Sequence, residues 1–290
     1  MTPPESTNAV NDNLASWNDR AHVHANGGYG DLDALASNPS HITGVAQRDF
    51  AVLAPHLPDQ SIKGLRILHL QCHIGTDTIC WHRMGAAEVW GLDFSSISLE
   101  YARKLAKKAN VAVTFVQADV RKAAEALADQ CGTFDAIVTS AGTITWLPEL
   151  TAWAKSIESL LAPGGVFAIR DDHPMLFALD NSGLSVVQDC FGGTEVVYEE
   201  DSSYVTDPSC EGNGGKLTHT VNHNWAHDFQ EIIGALLQAG LVLESLHEHD
   251  VADWRSLPML EFDEDDEGWR MPDGLPRIPL TFSIIARKPR

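Results

Sequence analysis

Two acids that each follow a short apolar run are the first candidates for chemistry in this sequence. Asp93 ends the run at residues 88–92, and a carboxylate there can accept hydrogen bonds from both hydroxyls of a ribose. Asp119 follows the next such run and could accept a hydrogen bond from an adenine amine, with Phe94 and Val120 lying against the ring. Each acid could instead cap the helix that follows it. We favour the first interpretation, which predicts a nucleotide-like cofactor.

The turn that follows residues 65–70 is the third candidate. An apolar run this short, without polar alternation, predicts a buried parallel strand. A polar turn that contains Gln71 and His73 follows it and ends at Gly75, where a helix begins. This order places backbone N–H groups and a helix N-terminus at the carboxyl end of the strand, where α/β proteins bind anionic parts of nucleotides. We therefore expect Gln71, His73 and Gly75 to contact the cofactor.

Histidines that could transfer protons occur in two later segments. His173 follows the apolar run at residues 166–169, and an imidazole there could act as a general base or orient a substrate. If residues 218–227 form a strand, one of its faces carries His219, Val221, His223, Trp225 and His227. We expect His223 to be the second catalytic candidate and Trp225 to belong to the wall of a substrate pocket.

The same segment raises the question of a metal site. Read as a helix, residues 218–227 would align their three histidines at steps of four. No carboxylate completes a ligand set, and the stretch Thr-His-Thr-Val prefers β structure. We therefore predict no metal.

Residues 14–38 are rich in Trp, His, Gly and Tyr and show little clean periodicity. Such a segment is more often a lid or a packing arm than a core element. His24 and Tyr29, together with His22, could close a substrate pocket; otherwise they pack or face solvent. Trp146, which follows the fourth apolar run, is equally consistent with the pocket wall and the core. We assign His24, Tyr29 and Trp146 to substrate binding.

Strands and helices alternate through the part of the chain that must hold these residues in place. The apolar runs predict strands at residues 65–70, 88–92, 112–116, 134–139 and 166–169. Helical patterns fall at residues 42–57, 76–84, 97–108, 122–128 and 149–161. Each strand–helix repeat has the length of a βαβ crossover, so we expect an α/β fold with a doubly wound, mainly parallel sheet.

After residue 169 this alternation stops. Residues 180–218 contain β-branched runs at 184–187 and 195–198, which predict an antiparallel insertion over the cofactor edge. A helix at 228–239 and strands at 241–247 and 280–286 would complete a seven-stranded sheet with one antiparallel strand near its edge, and the acidic run 261–267 would be a solvated loop. The expected organisation is a flexible tail at 1–13, an N-terminal lid and helix at 14–60, a cofactor-binding core at 61–175, an inserted cap at 176–226 and a C-terminal completion of the sheet at 227–290.

The composition is that of a globular protein with an unusual charge. Of its 290 residues, 44% are hydrophobic and 21% are charged, and the formal net charge is −20. Such acidity argues against a nucleic acid or an anionic membrane as partner, since both require a basic face. The five cysteines form no CxxC pair, no run approaches the roughly 20 apolar residues of a membrane span, and the N-terminus has no apolar signal core. We expect a cytoplasmic protein, monomer or homodimer, that acts on a small molecule.

Taken together, these features resemble the class I S-adenosylmethionine-dependent methyltransferases, in particular the broad "type 11" group that acts on small molecules. The resemblance runs from Ile67 to about Arg170. It rests on the glycine turn and on Gly91-Leu92-Asp93-Phe94-Ser95, Ala118-Asp119-Val120, Phe134-Asp135-Ala136-Ile137-Val138 and Leu160-Leu161-Ala162-Pro163-Gly164-Gly165. It implies a Rossmann-like methyltransferase fold and S-adenosylmethionine as cofactor. It further implies that Ser140, Ala141 and Gly142 lie beside the transferring methyl group.

The glycine turn departs from the family pattern. The family usually has an acid followed by G-x-G-x-G, whereas here His69 holds the acidic position, and Gln71 and His73 hold the first two glycine positions. Only Gly75 matches. A Gln-Cys-His turn looks like a subgroup of the family, in which the side chain of Gln71 or His73 would replace backbone contacts to the methionine end of the cofactor. The alternative is that His73 only packs over the turn.

The predicted function is transfer of a methyl group from S-adenosylmethionine to a nitrogen or oxygen of a small-molecule metabolite. The sulfonium methyl is already activated, so the protein need only align the acceptor and relieve it of a proton. The aromatic and His-rich segments suggest a polar acceptor that is aromatic or bears an amine, because aromatic faces attract cations. Two alternatives stay open: a nicotinamide-dependent oxidoreductase, which the missing G-x-G-x-x-G disfavours, and an inactive S-adenosylmethionine-binding regulatory protein.

Overall fold

A seven-stranded sheet occupies the centre of the protein. The computed structural model describes residues 4–180, 184–205 and 216–290. Its strands are β1 Arg66–Leu70, β2 Glu88–Asp93, β3 Thr114–Gln117, β4 Phe134–Thr139, β5 Leu161–Asp172, β6 Glu195–Glu199, β7 Val221–Trp225, β8 Val242–His249, β9 Glu261–Asp263, β10 Gly268–Arg270 and β11 Thr281–Arg287. The central sheet has the order β3-β2-β1-β4-β5-β11-β8. Strand β11 runs in the opposite direction to the other six strands of this sheet, which confirms the predicted doubly wound, mainly parallel fold.

Helices cover both faces of this sheet. They are α1 Pro4–Val23, α2 Leu32–Ser37, α3 Gly44–Leu53, α4 Thr76–Arg83, α5 Ser96–Lys108, α6 Ala123–Ala126, α7 Thr151–Leu160, α8 Pro174–Ala178 and α9 Phe229–Gln238. The helix predicted at residues 122–128 is instead the short α6 between two 3₁₀ turns. Within the described ranges, no helix is both long and apolar enough to cross a membrane.

Strand β1 shows how the sequence pattern builds the core. Ile67 packs in a buried cluster with Leu53 and Trp81, whereas its neighbour Leu68 packs in a second cluster with Trp153. Successive side chains of a strand point to opposite faces, so a strand that is buried on both faces has an uninterrupted apolar run. Burial stabilises such side chains by about 1.5–3 kcal/mol each. The two clusters thereby fix the sheet edge on which the site lies.

The N-terminal helix contradicts the predicted flexible tail. Residues 4–13 belong to α1, and residues 1–3 lie outside the described part of the chain. Polar residues occupy its buried face: Asn13, Ser16 and Arg20 are at most 2% exposed. An apolar stripe is the usual sign of an amphipathic helix, so a helix that buries polar side chains shows no clear periodicity in the sequence. The tail prediction was wrong for this reason.

The hairpin β6–β7 lies in the region expected to form an inserted cap, and α1 is attached to it. Residues 221–225 form a strand, as their alternation predicts. The side chain of Asn13 donates to the carbonyl oxygen of His223 at 2.8 Å and accepts from its N–H at 2.7 Å. The Asp19 carboxylate accepts from the N–H groups of Thr218 and His219. These bonds join the N-terminal helix to a segment about two hundred residues away in the chain.

Two predictions in the C-terminal half are wrong. Residues 184–187 form no strand, and Val186 makes only an isolated bridge with Leu179. The acidic run 261–267 is not a plain loop, because its first residues form β9, which pairs with β10. Trp269 of β10 pairs with the backbone of Ala252 and packs on a buried apolar cluster. The burial of this one aromatic side chain anchors the hairpin despite its acidic turn.

The turn between β1 and α4 has a left-handed backbone at alternate residues. The angle φ is 54° at Gln71, 47° at His73 and 79° at Gly75. This conformation costs a residue that has a side chain about 1–2 kcal/mol, which explains why glycines are expected at these positions. Gly75 is also closely packed, since an added Cβ would lie 2.9 Å from the Cβ of Ala102 and 3.2 Å from Cζ of Phe115.

We therefore expect Gly75→Ala to lower the free energy of unfolding by about 2–4 kcal/mol, because backbone strain adds to overpacking. Gly64 is the matched control: its φ is 82°, but no atom lies within 4 Å of an added Cβ. Gly64→Ala should cost only the backbone contribution, about 1–2 kcal/mol. Urea denaturation followed by circular dichroism measures both values. Equal losses in the two variants would contradict the packing role of Gly75.

Candidate active site

A large cavity opens at the edge of the sheet where β1, β2, β4 and β5 end. Its volume is about 1600 Å³. A typical small-molecule site occupies roughly 300–1,000 Å³, so this cavity has room for a cofactor and a second molecule. Its floor consists of strand ends and the turns that follow them, and its roof includes α1, the segment 28–38 and the cap hairpin β6–β7.

Asp93 lies at the end of β2 with its carboxylate held by the backbone. The N–H of His73 donates to Oδ2 at 2.9 Å, and the N–H of Ser95 donates to Oδ1 at 2.8 Å. Burial raises the pKa of Asp93 to about 6, although these hydrogen bonds favour the charged form. Ser95, not Asp93, caps α5 by accepting from Ser98. A carboxylate has about four acceptor sites, so Asp93 can still accept from two ribose hydroxyls.

The predicted adenine side of the site lies on the same cavity wall. Phe94, Asp119 and Val120 all line the cavity. The Asp119 carboxylate caps the turn after β3 by accepting from the N–H of Arg121, and it pairs with the guanidinium of that residue at 2.5 Å. Asp119 thus has the position of the predicted cofactor residue and also makes the hydrogen bonds of the alternative, a cap. Its carboxylate orients the turn that carries Val120.

Two buried polar atoms beside the turn have no hydrogen-bond partner among the described residues. Gln71 donates from Nε2 to the carbonyl oxygen of Thr143 at 3.0 Å, whereas its Oε1 is unpaired. His69 is 2% exposed; its Nδ1 bonds to Thr78, and its Nε2 is unpaired. Both side chains line the cavity. An unpaired buried polar atom costs roughly 1–3 kcal/mol, so these two atoms mark a place where polar ligand groups bind favourably.

His73 links the turn to the roof of the cavity. Its Nδ1 forms a hydrogen bond with Ser98 at 2.9 Å, and its Nε2 forms one with Nδ1 of His24 at 2.7 Å. Nε2 of His24 continues to Ser203 at 2.7 Å. Burial lowers the pKa of His73 to about 3 and that of His24 far below its usual range, so both rings are neutral at pH 7. His24 is buried behind the cavity wall, so the prediction that it binds substrate is wrong.

Gly75 and Ser140 stabilise the scaffold. Gly75 does not line the cavity, because it faces α5 and its N–H donates to the carbonyl oxygen of Cys72; its predicted cofactor contact is wrong. Ser140 lines the cavity, but its hydroxyl donates to the Asp49 carboxylate. Asp49 pairs with Arg170 at 2.7 Å. Ser140 thereby ties the loop after β4 to α3.

His173 is not arranged as a general base, although it lines the cavity. Its Nδ1 accepts from the N–H of Met175 at 3.1 Å, which makes it the N-cap of α8. Nε2 therefore carries the proton and donates to Glu248 at 2.9 Å. Burial lowers the pKa of His173, against the opposing effect of Glu248. The structure thus gives His173 a capping role in place of the predicted catalytic one.

His223 lies away from the cavity. Its ring pairs with Glu195 at 2.7 Å and with Asp12 at 3.3 Å, and it forms no part of the cavity wall. Asn222 and Asn224, on the opposite face of β7, line the cavity instead. The structure does not support the catalytic prediction for His223, although Trp225 of the same strand lines the cavity; strand alternation alone does not show which side chains reach the site.

The other histidines of this segment do not gather with His223. His219 pairs with Asp19, and His227 pairs with Glu231. In the part of the chain that the structure describes, no group of three His, Cys, Asp or Glu side chains is arranged to hold a metal ion.

Three predicted substrate residues, Tyr29, Trp146 and Trp225, line the cavity. Arg20 lines it as well and was missed by sequence reasoning. Its guanidinium lies 5.7 Å from the ring centre of Trp146 and pairs with Glu200 of the cap at 3.2 Å. A helix prediction for α1 would have placed Arg20 one turn from Trp17, which also lines the cavity.

Two consecutive acids at the end of β5 were also missed, and they have different roles. Asp171 accepts from five donors, which are the N–H groups of Gly142, Thr143, Ile144 and Asp172 and the hydroxyl of Thr143. It therefore holds the loop after β4 in place. Asp172 lines the cavity and accepts from Nε1 of Trp254 at 3.0 Å. Burial and the adjacent Asp171 carboxylate raise the pKa of Asp172.

Comparison with known proteins agrees with this fold. Residues 67–165 match the family model of a methyltransferase domain. No curated protein matches the chain. Similar solved structures include S-adenosylmethionine-dependent methyltransferases from Mesorhizobium loti (TM-score 0.53, 20% identity, 82% of this chain and 96% of that chain), Clostridium acetobutylicum (0.54, 11%, 85% and 92%) and Methanosarcina mazei (0.52, 14%, 82% and 97%). At these identities the likeness establishes the fold.

The matched segment runs from β1 to the first residues of β5 and contains both Asp93 and Asp119. Membership of the small-molecule group with a Gln-Cys-His turn stays a prediction. Residues 67–165 thus match a methyltransferase domain, and the chain shares its fold with S-adenosylmethionine-dependent methyltransferases, which agrees with the predicted enzyme class and cofactor.

Proposed function

We propose that the protein transfers a methyl group from S-adenosylmethionine to a nitrogen or oxygen of a small molecule. The observation that carries this proposal is the cavity of about 1600 Å³, which lies at the strand ends beside Asp93 and extends under α1 and the cap. This volume accommodates a cofactor and an acceptor side by side, and the roof leaves a space suited to a small acceptor. The net charge of −20 disfavours a nucleic-acid acceptor.

The cavity wall fits the two ends of the cofactor. At the nucleoside end, Asp93 would accept from the ribose hydroxyls, with Phe94 and Val120 beside the base. At the amino-acid end, the Arg20 guanidinium suits a carboxylate and the unpaired Oε1 of Gln71 suits an ammonium group. The unpaired Oε1 of Gln71 supports the assignment, because a bound cofactor would satisfy it, whereas Arg20 already pairs with Glu200 and would share its guanidinium.

Methyl transfer requires little covalent chemistry from the protein itself. When bound beside Asp93, S-adenosylmethionine would supply a methyl group that its positively charged sulfur activates for transfer. The protein's own residues align the acceptor and exclude water. Asp172 is better placed than His173 to receive an acceptor proton, since its carboxylate faces the cavity with a single side-chain donor, Trp254.

Calorimetric titration with S-adenosylmethionine, S-adenosylhomocysteine and NAD tests the proposal. We expect both sulfur compounds to bind and NAD not to bind. Absence of binding by either sulfur compound would overturn the proposal, and binding of NAD alone would support an oxidoreductase. Turnover is then measured with a panel of amines, phenols, thiols and carboxylates. Tight cofactor binding without turnover across this panel would instead support a regulatory protein.

Substituting Asp93 by alanine should weaken S-adenosylhomocysteine binding by about ten- to a hundred-fold, because the ribose loses a charge-assisted hydrogen-bond partner worth roughly 1.5–3 kcal/mol. Calorimetry measures the dissociation constant. Asp129→Ala is the matched control, since Asp129 is exposed and does not line the cavity.

The pH dependence of binding adds a second readout for Asp93. Its pKa of about 6 means that lowering the pH through 6 protonates the carboxylate. Wild-type affinity should therefore fall below pH 6 and stay level between pH 7 and 8, and the Asp93→Ala variant should lack this fall. Unchanged affinity in the variant at pH 7.5 would refute the ribose assignment.

Gln71→Gly should separate function from stability at the glycine turn. Relief of the left-handed strain offsets the lost hydrogen bond to Thr143, so the free energy of unfolding should change by less than about 1 kcal/mol. Loss of Oε1 should weaken S-adenosylhomocysteine binding about five- to ten-fold. Asn110→Gly is the control, because Asn110 has the same φ of 54° but is exposed outside the cavity. A large stability change with unaltered binding would give Gln71 a structural role.

A further inference from the structure

Asp172 faces the cavity among aromatic side chains. Both of its carboxylate oxygens lie near Nε1 of Trp254, at 3.0 and 3.2 Å. The ring centre of Trp254 lies 5.6 Å from that of Tyr204, whose hydroxyl bonds to that of Tyr29. All four residues line the cavity. They come from the end of β5, from the segment before β9, from the cap and from the segment after α1, so only the folded chain brings them together.

The basic residues beside Asp172 are occupied by other acids. Arg170 pairs with Asp49 at 2.7 Å and also with Asp253. Arg48 pairs with Asp253 at 2.5 Å. These two arginines and two aspartates balance one another, and in the described residues no Lys or Arg forms an ion pair with Asp172. The Asp172 carboxylate therefore faces the cavity without an ion-pair partner of its own among the described residues, although Arg170 nearby favours its charged form.

Asp172 also differs from the acid beside it. Asp171 is saturated by five donors, whereas the Asp172 side chain, within the described ranges, accepts only from Trp254. A carboxylate of this kind, in a cavity that is also lined by Trp and Tyr rings, provides the two features that proteins use to bind organic cations. Neutral or anionic groups would gain less there, since the buried carboxylate would stay unpaired or be repelled.

We infer that this place, defined by Asp172, Trp254, Tyr204 and Tyr29, binds the methyl acceptor and that the acceptor is an amine which enters as a cation. The inference rests on the proposed function and narrows it from nitrogen or oxygen to nitrogen. The ammonium group pairs with Asp172, and its carbon skeleton packs on the aromatic rings. Transfer of one N–H proton from the ammonium to the Asp172 carboxylate leaves a nitrogen lone pair for methylation. The raised pKa of Asp172 agrees with this proton transfer.

Binding to the protein saturated with S-adenosylhomocysteine tests the inference without depending on turnover. The probes are matched sets of amine, alcohol and carboxylate on three skeletons: ethyl, phenylethyl and indolylethyl. Calorimetry at pH 7.5 should show that at least one amine binds about ten-fold or more tightly than its matched alcohol and carboxylate. Asp172→Asn should remove this preference while S-adenosylhomocysteine affinity stays within about two-fold.

Two further variants keep the result interpretable. Asp129→Asn removes one exposed carboxylate outside the cavity and should leave the amine preference unchanged. Trp254→Leu removes the aromatic face and should weaken amine binding about five-fold or more in a variant that still binds S-adenosylhomocysteine. If S-adenosylhomocysteine binds but no amine exceeds its matched alcohol, the amine inference is overturned and the proposed function stands. If S-adenosylhomocysteine itself does not bind, the proposed function fails first.

Discussion

The hydrogen bond from the N–H of His73 to the Asp93 carboxylate is the interaction on which the site depends. It joins the turn after β1 to the end of β2, and the turn reaches Asp93 with left-handed backbone at both Gln71 and His73. Glycine would adopt that backbone at lower cost. The His73 side chain, however, continues through His24 to Ser203, so the residue that fixes the cofactor edge also holds the roof. Glycine at this position would keep the turn and lose that connection.

Buried polar contacts between α1 and the cap hold the roof of the cavity in place. Helix α1 buries Asn13, Ser16 and Arg20, and buried polar groups are tolerated only where they have hydrogen-bond partners. Arg20 finds partners in Glu200 and Ser203, so α1 depends on the cap for its position. The cap likewise depends on α1 through Asn13. Two segments from distant parts of the chain therefore form one cover over the cavity, and each supplies polar groups to its wall.

The acidic side chains near the site differ in how they are paired. Asp49 and Asp253 are balanced by Arg48 and Arg170, and these ion pairs hold α3, β5 and the segment before β9 together behind the site. Buried charges of this kind are stable as a group because each is paired. Asp172 lies next to this balanced network without belonging to its ion pairs. Asp172 thus differs in its pairing from Asp49 and Asp253, a difference that the net charge alone does not show.

The sequence by itself determined the sheet, its mainly parallel order and the strand-end position of Gln71, Asp93 and Asp119, which line the cavity, because an apolar run followed by an acid or a turn is a pattern of neighbouring residues. Only the tertiary structure decided which side chains of β7 reach the cavity, where Asn222 lines it and His223 does not. It likewise decided that His173 caps α8 whereas the Asp172 carboxylate faces the cavity. These choices, and the polar contacts of α1, depend on partners as far away as 210 residues, as in Asn13 with His223. Local pattern carries no information about such partners, since packing against distant segments selects them.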